Sequence, residues 1–125
     1  MKKKRLIMRD KKKNAKPYKY DMISSEVERI ISEVVSYEIQ DKRVLGNANV
    51  TGIKLSRDFS HCKVYVDIFK DDKKEVLDGL KNAAGFVRHI IAEQLDMRKT
   101  PEIAFYYDES IEKAKRIEEL LEKIK

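Results

Sequence analysis

Three arrangements in the chain combine residue types that could do chemistry. His61 and Cys62 are adjacent, as a base and a thiol nucleophile would be. They fall in a run of alternating polar and apolar residues, and neighbours on a strand point to opposite faces, so the two side chains cannot meet. Cys62 reads as a core thiol. His89 and Glu93 stand four apart in a helical pattern, a spacing compatible with a metal. Two ligands are too few for a closed site, and an exposed helical ion pair accounts for them. Asp71-Asp72 and Asp108-Glu109 are adjacent carboxylates, but each pair stands where a helix begins, and the helix dipole explains acid there. No glycine-rich phosphate loop occurs. The residues therefore point to no catalytic site, no metal and no cofactor.

What remains is cationic. The chain carries a formal net charge of +6, unevenly spread. Residues 1–19 hold ten lysines and arginines and one acid, Asp10, so this stretch carries +9 and the rest carries −3. Such a block repels itself and is expected to stay disordered until it meets a polyanion. A plain solubilising tail is the bland alternative. Leu6-Ile7-Met8 is too short an apolar run for a membrane span or a signal-peptide core. The single cysteine permits no disulfide within the chain, which fits a reducing, cytoplasmic setting.

These groups must be positioned by a body of about one domain, residues 20–125. Ile23, Val27, Ile30, Ile31, Val34 and Val35 recur at helical spacing, and Ser25 with Glu28 has capping-box spacing. Gly46-Asn47 breaks the chain. Two alternating runs follow. Thr51, Ile53 and Leu55 form one face of the first, and Cys62, Val64, Val66 and Ile68 one face of the second. Ser56-Arg57-Asp58 reads as the hairpin turn between them. Asp72 starts a second helical stretch, Glu75 to Leu95, striped with Val76, Leu80, Ala83, Val87, Ile90 and Ile91. Gly85 sits inside this stretch. A helix-interior glycine costs about 1 kcal/mol against alanine, so Ala83-Ala84-Gly85 is either a bend between two helices or an ordinary helix with one tolerated glycine. A third strand, Ile103 to Tyr107, precedes a final helix at about 109–125. Its stripe of Ile111, Ala114, Ile117, Leu121 and Ile124 is expected to pack on the domain. The fold class is α+β, a three-stranded mixed sheet with helices on one face, in the order of a type II KH domain.

Six segments in this order resemble the ribosome-binding factor A family. They are Glu38 to Val44, Val50 to Asp58, Cys62 to Val66, Ala83 to Arg88, Pro101 to Asp108, and Ser110 to Glu112 running on to Arg116 through Leu121. Lys42 replaces a proline common in the family, and Met22 stands where an arginine is common. The resemblance implies a KH-like fold whose Gly-x-x-Gly loop is replaced by an Ala-x-Gly kink, which Ala83-Ala84-Gly85 matches. It implies a non-enzymatic factor that binds the immature small (30S) ribosomal subunit and its 16S ribosomal RNA. It also implies support of late RNA maturation, a link to cold adaptation, and work alongside assembly GTPases. A monomer is expected.

Without Gly-x-x-Gly, the KH clamp on four nucleotides is not available, and contact by charge and shape remains. The candidate RNA contacts are Arg43 after the first helix, Lys54 on the first strand and Arg57 in the turn. Lys81 and Arg88 flank the kink, and Arg98 and Lys99 precede the third strand. Each is also readable as a solvated surface charge, and Arg57 as a turn-holding partner of Asp58 or a neighbouring carboxylate. Tyr18 and Tyr20 could stack on bases or anchor the tail to the first helix. An adaptor that binds protein through its mildly acidic body is the competing class.

Overall fold

The computed structural model describes residues 18–124 and the backbone of Leu6–Ile7. Helix α1 spans Tyr18–Glu33. It begins well before Ser25, which lies inside the helix and caps nothing. The start also falls within the stretch 1–19 expected to be a disordered tail. Apart from Leu6–Ile7, residues 1–17 lie outside the described residues. Ile23, Val27, Ile30 and Ile31 are at most 2% exposed, as their spacing requires. The helix ends in a widened π turn, Val34–Glu38, closed by the Ile39 N–H donating to Val34 O at 3.1 Å. Val34 and Val35 are both buried there, while Tyr37 stands out in solvent. Gly46, with φ 79°, turns the chain into the sheet in a conformation that favours glycine.

Strands β2 (Ala48–Leu55) and β3 (His61–Ile68) form an antiparallel hairpin, and β5 (Glu102–Tyr107) lies parallel to β3. The order β2-β3-β5 is the expected mixed sheet. The phase of β2 differs from the simple alternation. A bulge between Val50 and Gly52 sets two residues against one, so Val50 and Ile53 both pack on the core. Thr51 is turned outward, and its hydroxyl donates to Asp108 Oδ2 at 2.6 Å. On β3, Cys62, Val64, Val66 and Ile68 face inward as expected. Burial pushes the Cys62 thiol up to about 12, so it is inert as a nucleophile.

Helix α2 spans Lys73–Gln94 without interruption, so of the two readings at Ala83–Gly85 the single hydrogen-bonded helix is the one observed. Asp72 caps it, accepting from the Glu75 N–H at 3.1 Å. Val76, Leu80, Val87 and Ile91 are fully buried. Burying one such side chain stabilises by about 1.5–3 kcal/mol, so four of them outweigh the roughly 1 kcal/mol cost of Gly85. The close approach sits at the other glycine. A Cβ on Gly79 would lie 2.8 Å from Val44 Cγ2 and 3.3 Å from Arg43 Cβ, whereas one on Gly85 meets nothing within 4 Å. After α2, β4 (Leu95–Asp96) pairs in parallel with the backbone of β1 (Leu6–Ile7).

Helix α3 spans Ser110–Ile124 and corrects a second expectation. None of its residues is buried, and Ile117, Leu120 and Leu121 are 57–59% exposed. Only its first turn is tied down. The Tyr107 hydroxyl donates to Glu112 Oε1 at 2.9 Å, Lys73 Nζ lies 3.7 Å from the same oxygen, and Asp108 Oδ1 accepts from the Ser110 N–H. Burial, and then the Glu112 contact, push the Tyr107 hydroxyl up to about 12. Replacing Leu121 with serine is therefore expected to change the unfolding free energy by no more than about 0.5 kcal/mol. Chemical denaturation checks this.

Three carboxylates hold the connections. Asp41 accepts from Arg43, and Asp58 from Ser60 and Ser56, which brings both down to about 2. Ser110 and Thr51 lower Asp108. All three bind protons less readily in the folded chain than in the unfolded one. Their stabilisation is present above the ordinary value of 3.8 and is lost as pH falls below it, for Asp41 and Asp58 as pH approaches 2. Melting temperature in an acid series is expected to drop across that window. Asn at both 41 and 58 should flatten the drop.

Candidate nucleic-acid interface

The registers decide which predicted contacts come together. His61 pairs with Glu102 and Cys62 with Leu55, so the hairpin turn and the loop before β5 lie at one end of the sheet. The Glu102 N–H donates to Ser60 O at 2.9 Å and closes that end. Arg57 projects from the turn, and Arg98 and Lys99 are exposed on the loop. Arg88, from α2, binds the same loop: Nε donates to Pro101 O at 3.1 Å and Nη2 to Thr100 O at 3.2 Å. Among the described residues its charge meets carbonyls and no carboxylate. The lysine-rich stretch joins the domain where α1 begins, at Tyr18, and Tyr20, two residues on, reaches the hairpin, its hydroxyl donating to Leu55 O. Four cationic side chains from three segments, and the root of a +9 stretch, share one end of the domain.

The turn is organised by serines. Asp58 Oδ1 accepts from Ser56 Oγ at 2.8 Å and Ser60 Oγ at 2.6 Å, so Arg57 is not the partner of Asp58. Arg57 instead lies 4.2 Å from the ring centroid of Tyr20, which stacks on Phe59 at 5.8 Å. The Tyr20 hydroxyl donates to Leu55 O. Tyr20 thus anchors the start of α1 to the hairpin, and its ring is occupied. Phe59 holds a φ of 61°, unusual for a bulky residue, under that stack.

Three predicted contacts stand elsewhere. Arg43 is at the opposite end, committed to Asp41 by Nε at 3.0 Å and Nη2 at 2.7 Å. The two groups brace the loop against which Gly79 packs. Lys54 lies on the sheet face away from the helices, opposite Lys63. Lys81 is exposed midway along α2, in one stripe with Asn82, Gly85, Phe86 and His89. Phe86 is 43% exposed, and sequence reading passed over it because it falls between the buried positions of the stripe. His89 Nε2 lies 2.7 Å from Glu93 Oε1, the expected ion pair. Among the described residues, no group of three or more His, Cys, Asp or Glu could hold a metal. No described helix is long and apolar enough to cross a membrane.

A mixed β2-β3-β5 sheet with α1 and α2 on one face, and a glycine inside the helix between its last two strands, defines a KH-like domain with a cationic end. The family model described as Ribosome-binding factor A matches residues 19–121. The chain belongs to that family. It is 38% identical over 109 residues to the ribosome-binding factor A of Caldanaerobacter subterraneus subsp. tengcongensis, covering 86% of this chain and 89% of that one. The crystal structure of ribosome-binding factor A from Thermus thermophilus superposes with a TM-score of 0.63 at 25% identity, covering 70% of this chain and 92% of that one. A homology model of the Thermus thermophilus factor, fitted into a cryo-EM map of its 30S complex, superposes with a TM-score of 0.59 at 25% identity, covering 70% and 93%.

Proposed function

We propose that this chain binds the immature small ribosomal subunit through its 16S ribosomal RNA and supports late maturation of that RNA without catalysing a reaction. The observation that carries this is the gathering of Arg57, Arg88, Arg98 and Lys99 at one end of a KH-like domain, the end at which α1 begins. Cations that meet phosphates release counterions and place a protein on RNA without reading its bases. The partner class follows from the relatives, one of which is described in complex with 30S. The stripe on α2 gives placement. Gly85 presents backbone beside Phe86, and among the described residues nothing lies within 4 Å of where its Cβ would stand, so an RNA backbone can come close. The factor acts as a cytoplasmic monomer, in concert with assembly GTPases, and its contribution is greatest in the cold.

Cosedimentation with small subunits across a salt series tests the reading. Alanine at both 98 and 99 is expected to make the salt dependence shallower by about 2 in the log–log slope, with the fold unchanged. Equal binding of the chain to precursor subunits, unrelated RNA and anionic vesicles would sink it in favour of a non-specific adaptor.

A further inference from the structure

The sheet face away from the helices carries an arrangement that the cationic end does not explain. Lys54 and Lys63 are direct cross-strand partners, and both are exposed on this face. Like charges set opposite one another in a sheet are destabilising. Neither is in an ion pair among the described residues. Two residues further along β3, about 7 Å away, Tyr65 pairs with Tyr106 of β5. Their rings lie 5.9 Å apart, tilted by 34°. Tyr106 is 45% exposed, with the Lys63 ammonium 6.0 Å from its centroid. A groove of about 410 Å³ opens between these rings and the start of α3, where Lys113 forms the far wall. One exposed carboxylate, Glu109, lines the groove on the α3 side, beside Lys113, and the other carboxylates nearby are engaged or lie beyond the rings. Glu102 lies 3.7 Å from His61, Asp108 is held by Thr51 and Ser110, and Asp67 sits beyond the aromatic pair.

We infer that this open face is a second RNA site, a stacking platform for about two nucleotides of single strand. Lys54 and Lys63 hold a phosphate between them, which removes their mutual repulsion. Tyr106 and Tyr65 stack the bases that follow. The lysine pair is next to the hairpin turn, so the platform continues from the cationic end: a strand leaving Arg57 runs onto Lys54 and Lys63 and then onto the rings. Stacking needs only a base's flat face, so the site takes single strand without a sequence preference. It lies across the sheet from α2, and the domain thus grips RNA on two sides. This inference rests on the RNA reading above.

The test uses the full chain and a seven-nucleotide single-stranded RNA carrying 2-aminopurine. Binding is expected to quench the 2-aminopurine. Tyr65→Leu combined with Tyr106→Leu keeps the apolar volume on an exposed face, and is expected to remove the quenching and weaken oligonucleotide binding about tenfold per ring. Tyr106→Phe should retain both. Lys63→Gln should lower the salt slope by about 0.7. Unchanged affinity and quenching in the double leucine variant would overturn the inference. A wild-type chain that binds small subunits but not the oligonucleotide would also overturn it and leave the subunit reading standing. A chain that binds neither would overturn both.

Discussion

Valine at position 79 is expected to lower the unfolding free energy by about 2 kcal/mol, and alanine at position 85 to raise it by up to about 1 kcal/mol. In melting temperature these are about 10 °C down and about 5 °C up. Both glycines lie inside one helix, and helix propensity alone would make both replacements favourable. The neighbours decide. At Gly79 a first side-chain carbon already comes to 2.8 Å from Val44, a fully buried residue that has nowhere to move. Overpacking of this kind costs about 1–3 kcal/mol, and valine adds two more carbons. At Gly85 the space is open, so only the propensity gain is felt. The functional consequence runs the other way. Gly85→Ala is expected to weaken small-subunit binding while stabilising the protein, because in the proposed binding mode RNA approaches through the open space at Gly85. Gly79→Val should leave affinity per folded molecule unchanged. Thermal melts and subunit binding on the same preparations measure both quantities.

Removal of residues 1–17 has the largest expected effect on binding. These residues contain nine lysines and arginines. Six to ten phosphate contacts carry a salt dependence of about a thousandfold or more between 50 and 200 mM. The truncated chain is therefore expected to bind small subunits on the order of a hundredfold more weakly at low salt, with a log–log slope shallower by about 4–8. Its position on the subunit should not change, because the cationic end and the α2 stripe remain. Hydroxyl-radical footprints of the two forms should superimpose, and a shifted or vanished footprint at saturating protein would contradict this division of labour.

The elements were legible in the sequence wherever a single periodicity governed a whole segment. The buried stripes of α1, β3 and α2 are those that spacing alone predicts, and the strand order follows from the element order. The failures have separate physical causes. Thr51 and Val50 exchange faces because a bulge adds one residue to β2, and alternation cannot show where such a residue is inserted. The helix stripe on α3 is real as a pattern, but pattern does not say whether a partner surface is present, and here none of it is buried. Gly85 drew attention as a glycine inside a helical stretch, yet the tight contact is at Gly79, which depends on a loop some thirty-five residues earlier. Among the site residues, local spacing suggested an Arg57–Asp58 pair. Ser56 and Ser60 take Asp58, and Tyr20, from α1, takes Arg57. That Arg57, Arg88, Arg98 and Lys99 share one end depends on the β3–β5 register, which no local pattern contains. Arg43 looked like its fellow cations and is bound to Asp41.

The most direct measurement is zero-distance crosslinking of the full chain to RNA on purified precursor small subunits, with crosslinked peptides identified by mass. Crosslinks are expected from the hairpin turn around Arg57, the loop at Arg98 and Lys99, the Gly85–Arg88 segment of α2 and the basic stretch before Tyr18. The Asp41–Arg43 loop should be silent. Crosslinks concentrated in that loop or along α3, with the cationic end unmarked, would contradict the account.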